Sequence, residues 1–280
     1  MYKYTQVIPS DCLKPFIECF WIMKKSNSGK PLTNVLAPNA CSEVVFAGGY
    51  GYKRYDKKND VINFVEGLQV IGPRSNYIEV TEIQDGSIDI GFIFKPYGLK
   101  PFVNEVRQLV NKVFSLNEII SKPNFDLNNN IRKEIDAYKK IELLENYFEN
   151  LINPKNEINS IIEEAVSNIH TLKGNIKIYE LQRNLKVSKS TLERIFYRNI
   201  GISPKEFTDI WRLNYFINSQ KVNQADLLTE LAFDYGFFDQ SHFIKFFKKH
   251  TGNTPKGYFS SDYNLTNISS IEVENRFRVY

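Results

Sequence analysis

Between residues 176 and 258 the apolar positions fall at helical spacing, and the pattern occurs twice. Ile178, Leu181 and Leu185 recur at intervals of three and four, which predicts a helix from about Ile176 to Lys186. Ser188 then supplies an N-cap hydroxyl, and Leu192, Ile195 and Phe196 form the buried stripe of a second helix that Gly201 ends. Downstream, Leu228, Leu231 and Ala232 line a first helix that stops at Gly236. Asp239 caps the next, whose buried positions are Phe243, Phe246 and Phe247 and whose stop is Gly252. Setting Ser190 on Ser241 gives an offset of 51 residues, and that offset also carries Gly201 onto Gly252, Pro204 onto Pro255 and Phe207 onto Tyr258. Such repetition sets the architecture: two helix-turn-helix units in one domain. Between them Pro204 opens a long helix reaching about Gln220, roughly 25 Å at 1.5 Å per residue.

Residues 1–120 follow a different period. Ile88, Ile90, Phe92 and Phe94 alternate with Asp89, Gly91 and Lys95, which predicts a strand. Phe16 to Met23, Cys41 to Ala47 and Leu68 to Ile71 are short apolar runs of strand character. Gly48-Gly49-Tyr50-Gly51, Gly72-Pro73 and Lys95-Pro96-Tyr97-Gly98 read as turns. Several short strands of this kind suggest a small sandwich or an open barrel. Short helices are expected over Leu99–Val110 and Leu116–Ile120. A longer one is expected from Ile131 to Ile152, with a stripe of Ile131, Ile135, Tyr138, Ile141/Leu144, Phe148 and Leu151 that packs on the barrel or pairs with a second subunit. Asn153-Pro154-Lys155-Asn156 is the best linker. The expected fold class is therefore α+β: a β-rich domain over 1–120, a helical connector and linker over 121–156, an all-α domain over 157–260 with two helix-turn-helix units, and a polar tail over 261–280.

Charge sharpens the reading of the helical half. Residues 171–260 hold 14 Lys and Arg against 8 Asp and Glu, whereas residues 121–170 hold 6 against 9. Basicity confined to one segment is the footprint expected of phosphate contact, although a charged face is more often simply solvated. On the first second-helix, Ser190, Arg194 and Tyr197 point away from the stripe and Glu193 flanks it. On the second, Ser241, Lys245 and Lys248 face outward, with Gln240 and Ile244 at the flanks. A short turn followed by a helix bearing such side chains fits the major groove, where Arg and Lys suit guanine and Gln suits adenine. One such unit alone is as often two packed helices.

Leu231-Ala232-Phe233-Asp234-Tyr235-Gly236-Phe237, Asp239 to Lys248 and Gly252-Asn253-Thr254-Pro255 together resemble the DNA-binding domain of the AraC/XylS family of bacterial transcription regulators. The resemblance covers about residues 157 to 259 and implies seven helices and double-stranded DNA as partner. It places base contacts at Ser190, Glu193 and Arg194 in the first unit and at Gln240, Ser241, Ile244 and Lys245 in the second; Tyr197 is added from its outward position. Lys173, Lys189, Arg198, Lys248, Lys249 and Lys256 are phosphate candidates. The family usually places an Arg after the terminal aromatic, where this chain has Phe259. Leu13 to Trp21, Pro38 to Phe46, Ile71-Gly72-Pro73 and Gly91 to Pro96 resemble an N-terminal domain found ahead of that module in some regulators, which implies a cupin-like sensor or regulatory β-domain and no particular small-molecule effector. RNA polymerase and a second copy are candidate partners.

Chemistry elsewhere is sparse. The three histidines are His170, His242 and His250, so a His-based metal site within residues 1–120 is excluded, and no Ser-His-Asp set is available there. No enzymatic activity, metal or cofactor is expected. Gly48-Gly49 lacks the Lys-Ser/Thr end of a phosphate loop. Cys12, Cys19 and Cys41 are odd in number and lack paired spacing, which suits a reducing cytoplasm; Cys19 or Cys41 is a redox candidate or, more often for such residues, an inert buried thiol. They also lack the neighbours of a zinc-held methyl acceptor. The N-terminus reads as no signal peptide, and no apolar run approaches membrane-spanning length. Trp21, Glu43 and Arg74 are the candidates for an effector pocket. The rival reading is a ligand-binding or enzymatic β-domain whose helical half mediates protein contacts.

Overall fold

The computed structural model describes residues 3–120, 124, 126–152, 157–219, 236–237 and 239–260 of the 280-residue chain. The expected first helix of the second unit (Leu228, Leu231, Ala232), the linker Asn153–Asn156 and the tail 261–280 lie outside the described residues.

Eight strands form one antiparallel sheet: β1 Lys3–Val7, β2 Ile17–Lys24, β3 Asn27–Leu36, β4 Glu43–Asp56, β5 Val61–Ile71, β6 Ile78–Asp85, β7 Ile88–Phe94 and β8 Val113–Ser115. The main path runs β1-β2-β7-β4-β5-β8, and β3 joins through β6, which pairs with β4. The central strand changes neighbours along one edge. Glu43 to Phe46 pair with β7, whereas Tyr52 to Tyr55 pair with β6. Between them the register with β5 shifts from Ala47 to Tyr52, and Gly49 and Gly51 sit at φ 57° and 66°. The glycines expected to end the strand instead make a bulge inside it. Left-handed backbone costs glycine little, and a bulge bends its strand, so the sheet turns there without a break.

That bend explains why the strands read as continuous apolar runs. Both faces of the central strands are buried, as in covered sheets. Along β4, Val44 and Phe46 enter one core and Val45 and Ala47 another; along β2, Phe20 and Ile22 divide from Trp21 in the same way. Helices cover the first face: α1 (Leu116–Ile119), α2 (Leu127–Lys133) and α3 (Ala137–Glu149). Phe148 on α3 is fully buried, with its ring 4.7 Å from Phe92, 5.4 Å from Phe102 and 6.0 Å from Phe94.

Three sequence expectations need correction in this half. The helix expected from Ile131 to Ile152 is two, because Glu134 is extended and Asp136 caps the second, accepting from the amides of Tyr138 and Lys139. Ile135 falls in the break and is 90 % exposed, whereas Ile131, Ile141, Leu144 and Phe148 pack on the sheet. The expected helix over Leu99–Val110 is two 3₁₀ turns, Lys100–Phe102 and Val106–Leu109. Strands β1, β3, β6 and β8 were not foreseen; their apolar residues are too interrupted by polar ones to stand out.

The described residues of the helical half include α4 (Ser160–Thr171), α5 (Ile178–Leu185), α6 (Lys189–Asn199), α7 (Pro204–Ser219), α8 (Gln240–Thr251) and α9 (Pro255–Ser260). Leu181, Leu192, Ile195 and Phe196 are buried with Ile162, Ile169, Phe207 and Ile210 in one core. Phe243, Phe247, Phe237 and Tyr258 form a second core against Leu213, Phe216 and Ile217 of α7. The long helix thus belongs to both cores and ties the two units together. Phe246, expected in the stripe, is only half-buried; His250 takes the enclosed place, 4.7 Å from its ring. Phe259 lies 6.0 Å from Phe247 and 5.4 Å from Tyr258, so this position contributes to packing here.

Candidate nucleic-acid interface

In the first unit α5 ends at Lys186, held at φ 52°, and two residues later Ser188 caps α6 by accepting from the Thr191 amide at 3.2 Å. Left-handed backbone at a helix end followed by a new cap makes the sharp reversal of a helix-turn-helix. In the second, the Asp239 carboxylate accepts from the His242 amide at 2.7 Å, and α8 ends at Gly252 at φ 76°. Between them, the sixteen residues of α7 give a rod of about 24 Å.

With their apolar stripes buried, α6 and α8 display their remaining faces. Ser190 and Arg194 on α6, and Gln240, Ser241 and Lys245 on α8, are exposed; Glu193 and Ile244 are half-buried. Lys189 reaches Glu193 at 4.0 Å, whereas Arg194 makes no ion pair among the described residues. Lys173, Lys189, Lys248, Lys249 and Lys256 are exposed. Two positions are placed differently from expectation. The Arg107 guanidinium lies 4.4 Å from the centre of the Tyr197 ring, so a β-domain cation covers that side chain. Arg198 is exposed but borders a cleft shared with Lys100 and Glu157, turned toward the β-domain. The outward angle of Tyr197 was legible in the sequence; the neighbours that Tyr197 and Arg198 meet were not.

The β-domain touches both units near their helix ends. Gly201, after α6, packs on the segment 106–110, where an added Cβ would lie 2.7 Å from Val110. Gly252, after α8, meets the Tyr77 ring. The Asn214 amide on α7 donates to the Pro38 carbonyl at 2.7 Å, and Tyr97 donates to Glu163 at 3.4 Å.

The folded-over sheet encloses a cavity of about 350 Å³, whose walls include Trp21, Glu43 and Arg74. The three effector candidates therefore share one space. Trp21 lies across Gly91, where a Cβ would stand 2.7 Å from its ring. Arg74 donates to the Ala37 carbonyl at 3.0 Å and lies 3.6 Å from Glu43. Sequence reasoning missed two features of this cavity. Arg54 is fully buried, and the enclosed Lys25 ammonium sits between Glu82 at 3.3 Å and Asp89 at 3.2 Å. Burial pushes Asp89 up to about 6, against the pull of Lys25. Arg54 was hidden because the glycine run was taken as a turn; a strand continued to Asp56 would have placed it on an inner face.

Burial raises the Cys19 and Cys41 thiols to about 12, which disfavours reactive thiolates. Among the described residues, no group of three or more His, Cys, Asp or Glu is placed to hold a metal ion. No described helix is long and apolar enough to cross a membrane.

Comparison with known proteins agrees with this division. Residues 181–261 match the family described as a helix-turn-helix domain, and residues 5–115 match a domain of unknown function, DUF6597. The lactose operon transcription activator of Staphylococcus xylosus is 23 % identical over 66 % of this chain and 61 % of its own length. The uncharacterized HTH-type transcriptional regulator YidL of Escherichia coli K12 is 30 % identical over 34 % of this chain and 32 % of its own. The chain thus spans less than two thirds of these relatives. Among solved structures, ToxT from Vibrio cholerae O395 has a TM-score of 0.45 and 13 % identity over 85 % of this chain and 95 % of that one. Its unsaturated fatty acid bound form, from strain SCE256, has a TM-score of 0.45 and 15 % identity over 84 % and 96 %. Residues 181–261 are thus similar to a helix-turn-helix domain, in a chain that resembles parts of a transcription activator and of an HTH-type transcriptional regulator.

Proposed function

We propose that this protein is a sequence-specific DNA-binding transcription regulator whose β-domain responds to a small molecule. The observation that carries the reading is the matched construction of α6 and α8. Each begins at a side-chain cap, buries one apolar stripe against α7, and leaves polar and basic side chains on its outer face. Arg194 and Lys245 are the guanine-reading candidates, Gln240 suits adenine, and Ser190 and Ser241 suit either. Glu193 suits cytosine, and Ile244 offers an apolar contact to a thymine methyl. Lys173, Lys189, Lys248, Lys249 and Lys256 supply phosphate contacts; Arg198 and Tyr197 join only where the β-domain yields its hold on them. RNA polymerase, a second copy and a cytoplasmic location are consistent with a regulator of this kind and form part of the proposal.

The cavity between the two halves of the sheet is the sensor site, with Trp21, Glu43 and Arg74 in its wall. Its position suits regulation, because the segment that follows the second 3₁₀ turn belongs to both places. Arg54 donates to the Asn111 carbonyl at 3.3 Å, and residues 106–110 rest on Gly201 and Tyr197. Selection of bound sites from random DNA with the purified chain tests the reading. A recovered consensus supports it; a pool without sequence preference contradicts it.

A further inference from the structure

Among the described residues, no carboxylate forms an ion pair with the buried cation Arg54. Its residue is fully enclosed, it borders the 350 Å³ cavity, and its single hydrogen bond uses Nη1, toward the Asn111 carbonyl. Nε and Nη2 have no hydrogen-bond partner among the described residues. The other charges of the cavity are matched. Lys25 stands between Glu82 and Asp89, and Glu43 is shared by Arg74 at 3.6 Å and the Asn39 amide at 3.0 Å. Enclosure lowers the basicity of Arg54 to about 10, with nearby Arg74 adding to the effect and Tyr52, Glu43 and Asp56 only partly opposing it. The rest of the wall is mainly apolar and aromatic, including Tyr4, Trp21, Val45, Tyr52 and Ile93.

A buried charge is costly unless paired, and a guanidinium offers two parallel donors that match a carboxylate. We propose that the cavity binds a small organic carboxylate with an apolar or aromatic body, its anionic end on Nε and Nη2 of Arg54 and its body against Trp21 and Tyr52. This deepens the sensor reading given above and rests on it. A neutral or cationic ligand of the same shape leaves the two donors unmatched. The cavity volume suits a compact, drug-sized molecule.

Calorimetric titration of the full chain tests this with three pairs: 4-phenylbutanoate, indole-3-acetate and octanoate, each beside its own primary amide. A charge-assisted hydrogen bond contributes enough to favour at least one carboxylate over its amide by about ten- to a hundredfold. Arg54→Met, whose folding is checked by its thermal transition, should bring that carboxylate down to the affinity of the amide. Failure of every carboxylate to exceed its amide in the wild-type chain overturns the proposal even if the variant does not fold. So does a carboxylate preference that survives in folded Arg54→Met. DNA-site selection on the same preparation separates the two readings: a consensus without carboxylate preference leaves the regulator standing and removes only the ligand class.

Discussion

The arrangement of cations on the helical half fixes how steeply DNA binding must weaken with salt. Five of the six phosphate candidates (Lys173, Lys189, Lys248, Lys249 and Lys256) are exposed, and the sixth, Arg198, is exposed along the cleft with the β-domain. Each neutralised phosphate releases counterions, so the slope of log K against log salt is about −0.9 per contact. Five to six contacts give a slope of about −4.5 to −5.4, and raising salt from 50 to 200 mM then weakens binding about 500- to 2000-fold. Lys248 and Lys249 lie together in the last turn of α8, away from its buried stripe. The double variant Lys248→Ala/Lys249→Ala removes two contacts without opening the core, so its slope should be shallower by about 1.8. Fluorescence anisotropy on a selected site, over a series of salt concentrations, reads both slopes. A wild-type slope shallower than about −2, or one unchanged in the double variant, would refute the assignment of this face to the phosphate backbone.

Two further outcomes follow from contacts that involve the recognition helices. His250 is enclosed, and burial pushes it down to about 4, with Asp209 opposing and Lys249, Lys205 and Lys58 assisting. Between about pH 6.5 and 4 the unfolded chain takes up a proton that the folded chain refuses. Stability should therefore fall by up to roughly 3 kcal/mol as pH drops through that window. Chemical denaturation at several pH values should show the loss in wild type and a flatter profile in His250→Leu; equal profiles would show that the ring protonates freely in the fold. Arg107→Ala removes the cation covering Tyr197, a contact of about 0.5–1 kcal/mol at an exposed site. It should tighten DNA binding about two- to fivefold, and an unchanged affinity would mean that this contact does not compete with DNA.

How far the chain could be read from its letters differed between the halves, for a physical reason. In the helical half, spacing, caps and stops are local, so Ser188, Gly201, Asp239 and Gly252 marked boundaries that the backbone observes. The stripe of Leu192, Ile195 and Phe196 likewise fixed which face of α6 is turned in. In the β half the decisive interactions join distant residues. Whether Gly48 to Gly51 turn the chain or bulge within a strand depends on β6 and β7, which lie more than 25 residues away. Arg54, whose side was concealed by that ambiguity, could not be assigned to the cavity. The break at Glu134 was also hidden, because Ile131 and Ile135 keep helical spacing across it; Asp136 was the visible signal, as a capping residue placed inside an apparent helix. Arg107 on Tyr197 belongs to the same class, since nothing in either stretch specifies the other.

The central claim is that α6 and α8 read two successive major grooves on one side of a duplex. Site selection repeated with Arg194→Ala and with Lys245→Ala tests it most directly. Each variant should relax base preference at its own position, at a cost of about 1–3 kcal/mol on the wild-type site, and the two relaxed positions should lie about ten base pairs apart. Relaxation at neighbouring positions, or consensus sequences identical to the wild-type one, would contradict the account.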